Sequence, residues 1–288
     1  MKKLVSSVLA ASMVMSLAAC GSTASTDTAS SEAASEAASA PAVIESGDNV
    51  FQICFTDPNQ GVASADYIAD NKLGTKVGII YDSSDAYSSG IYEKFKAEAD
   101  VKGLEIVAAE AFTADNKSDL STQVAKCQQA GADLVFLPIY YQEASQILIA
   151  ANKSGYAPVF FGCDGMDGIL TIEGFDTSLA EGLLLMTPFS ADDEKNADFV
   201  NAYKDKYGET PDQFAADAYD GVQAVAEAVK EAGLGVDADP TEVADKLSKA
   251  MLKITVDGLT GKLTWNDKGQ VQKEPTAYVI TDGKYVQA

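Results

Sequence analysis

From about Val50 to the C-terminus, apolar and polar positions alternate with two different periods. Short runs rich in Val, Ile, Leu and Phe read as strands: NVFQICF, KVGIIYD, LEIVAAEAF, DLVFLPIY, PVFFGCD, GLLLMTPF and, near the end, GKLTWND and AYVITDGKYV. Between most of them the apolar residues recur at helical spacing. SSGIYEKFKAEADVKG places Ile91, Phe95 and Ala99 on one face. DLSTQVAKCQQAG and EASQILIAANKSG do the same and close on glycine, as helix ends tend to. Alternation of this kind predicts an α/β fold of βαβ units, with a parallel sheet covered by helices on both faces.

The N-terminal region has neither period. MKKLVSSVLAASMVMSLAACGS combines a basic start (Lys2, Lys3), an apolar stretch from Leu4 to Met15 and a small-residue cleavage site at Leu17-Ala18-Ala19-Cys20. The apolar stretch is too short and too Ser-punctuated for a spanning helix. A cysteine just after the cut resembles a bacterial lipobox, which implies removal of residues 1–19 as a lipoprotein signal peptide and lipidation of Cys20. Residues 22–43, STASTDTASSEAASEAASAPAV, have almost nothing to bury and predict a flexible tether.

Ligand sites in parallel α/β sheets lie at the carboxyl ends of strands. Those ends read Tyr81-Asp82-Ser83-Ser84-Asp85-Ala86-Tyr87, Tyr140-Tyr141 and Gly162-Cys163-Asp164-Gly165. They offer phenols, hydroxyls and carboxylates that can hold an ammonium, with no nucleophile–base pair and no phosphate-binding glycine loop. Side chains alternate along a strand, so Tyr140 and Tyr141 point in different directions; Tyr140 is assigned to the site and Tyr141 to packing or the surface. Read without any family, Tyr87 serves equally as a loop cap, Asp164 as a turn residue beside its glycines, and Phe214 as core in line with Ala218 and Val222.

Composition narrows the chemistry further. The chain has 288 residues, no His, 21 basic and 43 acidic side chains, and a formal charge of −22. Without imidazole, most triads, most zinc sites and the usual neutral-pH acid–base group are excluded. No basic stripe exists for a phosphate backbone, so nucleic acid is not an expected partner. Beyond Cys20 three cysteines remain, Cys54, Cys127 and Cys163, with no metal-binding spacing. They read as small buried hydrophobes, with a disulfide pair as the alternative. No metal and no cofactor is expected.

Taken together, the lipobox, the tether, KVGIIYDSSDAYSSG, LVFLPIYYQEAS, VFFGCDGMDG, TPFSADD, YGETPDQFAADAYDG and VDGLTGKLTWNDKG resemble the branched-chain amino-acid (Leu/Ile/Val) substrate-binding lipoproteins of ABC importers. The resemblance runs from about Asp48 to the C-terminus. It implies a type I periplasmic-binding fold, two α/β lobes that close on a ligand. It also implies a small amino acid as ligand, ABC permease subunits as partners, a monomer, and a membrane-anchored, extracytoplasmic location. Carried over by position, Tyr87 contacts the ligand, Tyr140 closes over it, Asp164 pairs with the α-ammonium and Phe214 packs near the ligand side chain. The Asp57-Pro58-Asn59-Gln60-Gly61 loop is a further, weaker candidate near the cleft.

The chain departs from the family in one respect. Its tether leads almost directly into GDNVFQICFTDPNQG, which in the family ends the first pass through lobe one, so roughly 100 residues are expected to be lacking. The expected organisation is a signal peptide (1–19), a lipidated Cys and tether (20–47), a truncated lobe one (48–75 and 189–239) and a complete lobe two (76–188 and 240–288). NVFQICF is then an apolar strand without neighbours on one side, and the lobe-one remnant is expected to be marginal. Capture of a branched-chain or related amino acid is the function implied; the alternative is a non-transporting remnant or surface interaction module with impaired ligand binding. An exported α/β hydrolase would need a G-x-S-x-G elbow and a base, and the chain has neither that motif nor a His.

Overall fold

The structure, a computed structural model, describes Gly47, residues 49–273 and residues 275–288. The expected signal peptide, Cys20 and the tether lie outside the described residues, apart from Gly47.

The dominant feature is a seven-stranded sheet. Five parallel strands come first: β1 (Lys76–Asp82), β2 (Glu105–Phe112), β3 (Leu134–Leu137), β4 (Val159–Gly162) and β5 (Leu184–Thr187). Two antiparallel strands from the C-terminus, β9 (Thr276–Thr281) and β10 (Lys284–Gln287), extend it beyond β5. The spatial order is β10-β9-β5-β4-β3-β1-β2. Four helices cover its faces: α1 (Asp57–Asp70), α2 (Ala86–Lys102), α3 (Ser121–Gln129) and α4 (Tyr141–Ser154). The period-two alternation of strand side chains sorts the core into two layers. Val77, Ile79, Leu134, Phe136 and Phe161 meet Ala65 and Ile68 of α1 and Ile91, Phe95 and Ala99 of α2. Ile80, Val135, Leu137 and Leu185 meet Val124 and Cys127 of α3 and Ile147, Leu148 and Ala151 of α4. Helices α1 and α2 cross closely at Gly61, where an added Cβ would lie 2.6 Å from the Ile91 carbonyl oxygen.

A smaller body packs beside the sheet. It contains α5 (Ala197–Tyr207), α6 (Gln213–Glu231), α7 (Pro240–Met251) and a three-stranded antiparallel sheet of β6 (Val256–Gly258), β7 (Gly261–Trp265) and β8 (Val271–Gln272). Ala224, Ala228, Ala250, Met251, Val256, Leu263, Trp265 and Val271 form its main cluster, with Phe51 and Ile53 against it. Phe189, Val200 and Ala216 form a second, smaller one. Asp212 and Asp239 cap the starts of α6 and α7 by accepting from the backbone N–H groups of Ala215 and Thr241.

Three expectations change here. The NVFQICF run forms no strand among the described residues, because no other strand lies alongside to supply a hydrogen-bond ladder. It lies as an irregular segment on the small sheet instead, with the Gln52 N–H donating to the Gly269 carbonyl at 2.9 Å and the Trp265 indole N–H donating to the Gln52 carbonyl at 2.7 Å. The expected lobe boundaries also move. Residues 57–70, placed by sequence in lobe one, pack on α2 and the large sheet, while 240–272, placed in lobe two, pack with α6; only 276–287 return to the large sheet. Finally, the Phe214–Ala218–Val222 face of α6 is not core. Phe214 is 39% and Val222 70% exposed, and the face carrying Ala216, Asp220, Ala224 and Ala228 is buried instead. Both faces are apolar enough to be core, and only one has a partner surface among the described residues.

Candidate functional site

Three adjacent parallel strands, β1, β3 and β4, bring the sequence-predicted residues to one end of the sheet. After β1, Asp85 accepts a hydrogen bond from the Ser88 N–H and starts α2, which places Tyr87 in the first turn. After β3 the chain runs through Pro138 and Ile139 to Tyr140, the residue before α4. After β4 a short 3₁₀ turn, Asp164–Met166, carries the carboxylate.

These side chains converge. The Tyr87 hydroxyl donates to Asp164 Oδ1 at 2.8 Å and accepts from the Gly165 N–H at 2.9 Å. The Tyr87 and Tyr140 rings stack with centroids 4.9 Å apart and planes inclined by 27°. Gly165 is required for this approach: a Cβ there would sit 2.7 Å from the Tyr87 hydroxyl and 3.0 Å from the Ile139 carbonyl oxygen. Tyr141 turns away and packs in the core layer of α3 and α4, against Gly168. Phe214 is the second residue of α6; its ring makes no aromatic pair with Tyr87 or Tyr140, although its neighbour Gln213 reaches Asp164.

Sequence reasoning passed over the groups that hold Asp164 in place. The Asp164 N–H donates to Gln60 Oε1 at 3.1 Å, and its carbonyl accepts from Gln213 Nε2 at 2.9 Å. Both glutamines are buried. Gln60 falls within the weaker candidate loop, at the start of α1; Gln213 had no signal beyond its place after a helix-capping Asp.

The electrostatics are one-sided. Burial pushes Asp164 up to about 6, aided by Asp217 and opposed by hydrogen bonds with Tyr87, Gln60 and Gln213. Asp57 is raised to about 7, first by burial and then by Asp164 and Asp85. Burial, followed by Asp85, Asp164, Asp57 and Cys54, raises Tyr140 to about 12. Cys54 is exposed as a residue, but partial desolvation of its sulfur, followed by Asp217 and Asp164, raises the thiol. The nearby buried cation, Lys273, is committed: it lies 3.0 Å from Asp217 Oδ1 and 2.9 Å from Thr260 Oγ1. Among the described residues no lysine comes within ion-pair distance of Asp164. Chemically, a buried carboxylate beside two phenols can pair with a small cation that also carries an apolar face. No group of metal-ligating residues occurs among the described residues.

A largely parallel α/β sheet thus brings two phenols and a buried carboxylate together at the carboxyl ends of its strands, where sheets of this class hold their ligand sites. The particular family is shown by the sequence profile described as periplasmic binding protein, which matches residues 5–284; the chain belongs to that family. Among similar proteins, the Leu/Ile/Val-binding protein homolog 1 of Brucella abortus is 29% identical over 82% of this chain and 62% of its own length. The Leu/Ile/Val/Thr-binding protein of Salmonella typhimurium is 30% identical over 75% of this chain and 56% of its own. Among solved structures, a leucine-binding protein of Thermotoga maritima superposes with a TM-score of 0.73, at 25% identity, over 86% of this chain and 69% of its own. An isoleucine-bound branched-chain amino-acid transporter binding protein of Streptococcus pneumoniae gives 0.72, at 26% identity, over 84% and 67%. The chain thus spans about three-fifths of the length of the curated relatives it matches, which fits the shortened first lobe expected from sequence.

Proposed function

We propose that this protein captures a branched-chain or related amino acid outside the cytoplasm and presents it to the permease of an ABC importer, held at the membrane by a lipid on Cys20. The observation that carries the reading is the Tyr87–Asp164 hydrogen bond beside the stacked Tyr140, with no lysine among the described residues in reach of the carboxylate. In this reading Asp164 takes the ligand ammonium, Tyr87 orients the carboxylate, Tyr140 lies over the ligand and Phe214 approaches the aliphatic side chain. The functions for which these relatives are named support the ligand class and favour transport over a non-transporting remnant. The chain spans about three-fifths of those relatives' length, so affinity is expected to be weaker than micromolar.

Calorimetry of the full chain with Leu, Ile and Val tests this, with 4-methylpentanoate as the control that keeps the leucine side chain and lacks the amine. Binding of the amino acids and silence of the control supports the reading. Equal binding of both, or of neither, overturns it.

A further inference from the structure

We propose that Gln60 and Gln213 act together as positioning residues, an amide clamp that fixes the main chain of Asp164 and thereby aims its carboxylate at the ligand ammonium. The inference rests on the amino-acid-binding reading above and adds to it the two residues that make the recognition group rigid.

The geometry is reciprocal. Gln60 uses its amide oxygen on the Asp164 N–H, and Gln213 uses its amide nitrogen on the Asp164 carbonyl, so both main-chain groups of one residue are held by side chains from two different helices. Each glutamine is itself anchored at its other end. Gln60 Nε2 donates to the Phe55 carbonyl at 3.5 Å, and Gln213 Oε1 accepts from Thr187 Oγ1 at 3.4 Å. The Gln213 N–H adds a bond to Asp167 Oδ2 at 2.6 Å, three residues along the same turn. Gln60 and Gln213 are 0% and 1% exposed, so none of these bonds competes with water. Tyr87 then fixes one carboxylate oxygen, and Oδ2 has no hydrogen-bond partner among the described residues. A buried turn needs partners for its backbone groups, and the Asp164 carbonyl has a local one in the Asp167 N–H at 3.0 Å. The glutamines add partners from 104 and 49 residues away, one of them from the smaller body.

The clamp also has an electrostatic consequence. Several groups face Asp164: Asp57 from α1, Tyr87 from α2, Tyr140 before α4, Cys163 on its own turn, Cys54 from the leading segment, and Asp217 from α6 with its partner Lys273. Asp217, like burial, pushes the Asp164 carboxyl toward its neutral form. The Tyr87 hydroxyl, bonded to Oδ1, pushes it back toward the charged form that an ammonium requires, and the two glutamines hold the main chain that keeps this bond in place.

The test is an NMR titration of the Asp164 side-chain carboxyl carbon in the full chain, without ligand, comparing the unaltered protein with Gln60→Met and Gln213→Met. Each variant is expected to raise the midpoint by roughly one pH unit, because a loosened main chain weakens the Tyr87 hydrogen bond to the charged carboxylate. The Leu263→Ala variant, destabilised in the smaller body, controls for a merely structural effect and should leave the midpoint in place. If both glutamine variants titrate as the unaltered chain does, or if Leu263→Ala moves the midpoint equally, the clamp is overturned. The titration needs no bound amino acid, so its failure is distinguishable from failure of the calorimetric test of function.

Discussion

The two bodies of this molecule are written in the same sequence grammar and differ in what they can bury. In the larger one both faces of the sheet are covered, and Phe95, Phe112, Phe136 and Phe161 are almost completely enclosed. In the smaller one much of the main cluster is alanine, methionine and valine, while Phe214, Tyr219, Val222 and Val225 of α6 face solvent. An apolar hollow of about 430 Å³ also opens between Phe51, Ile53, Val225, Leu247 and Met251. An amphipathic pattern states that a face is fit for burial. Whether it is buried depends on a second surface, and that is a property of the fold as a whole.

The contrast can be broken most forcefully in the large sheet. Phe136 stacks on Phe95 at 4.0 Å and is fully buried, so Phe136→Ala is expected to cost about 3–5 kcal/mol. Urea unfolding would check it, and a cost near zero would mean that the central sheet is not the stable core. Next in size is the proposed site: on that proposal, Asp164→Asn removes the charge that pairs with the ligand ammonium. Amino-acid affinity should fall about a hundredfold, roughly 2.7 kcal/mol, with calorimetry as the readout and far-ultraviolet circular dichroism showing the fold retained.

A pH series sharpens the comparison at intermediate size. Asp164 at about 6 and Asp57 and Asp167 at about 7 are all raised by burial above the ordinary range near 4. Folding therefore favours their protonated forms. The stability they contribute is fully present below the ordinary range and is lost as pH rises through 6 and 7. The Tm of the ligand-free chain should drop between about pH 4 and pH 7.5, by about 2–4 °C for each kcal/mol lost, while amino-acid affinity rises over the same interval as Asp164 ionises. Parallel trends in the two measurements would contradict this account. Smallest of all should be Val222→Ala on the exposed face of α6, within about 0.5 kcal/mol; a larger loss would reveal that this face is covered in solution.

Much of the larger body was legible because its signals are local. Ile91, Phe95 and Ala99 lie on the inner face of one helix, as their spacing required, and the residues ending β1, β3 and β4 meet because parallel neighbours deliver their carboxyl ends to one edge. NVFQICF misled because strand character is read along one chain, whereas a strand exists only through a ladder with another. The move of 240–272 to the smaller body was hidden for a related reason: β6 to β8 carry strand patterns that do not name the sheet they join. Gln60 and Gln213 left almost no trace, since a buried amide bonded to a distant main chain has no periodicity and no characteristic neighbour.

Trp265 is the chain's one tryptophan, and its indole rests on the Gln52 carbonyl inside the smaller body. The molecule therefore carries a built-in optical label on one half alone. Its emission during heating reports when the leading segment lifts from the three-stranded sheet, whereas far-ultraviolet circular dichroism follows the helices of both halves together. Coincidence or separation of the two melting curves can thus tell whether the halves melt as one cooperative unit or in succession.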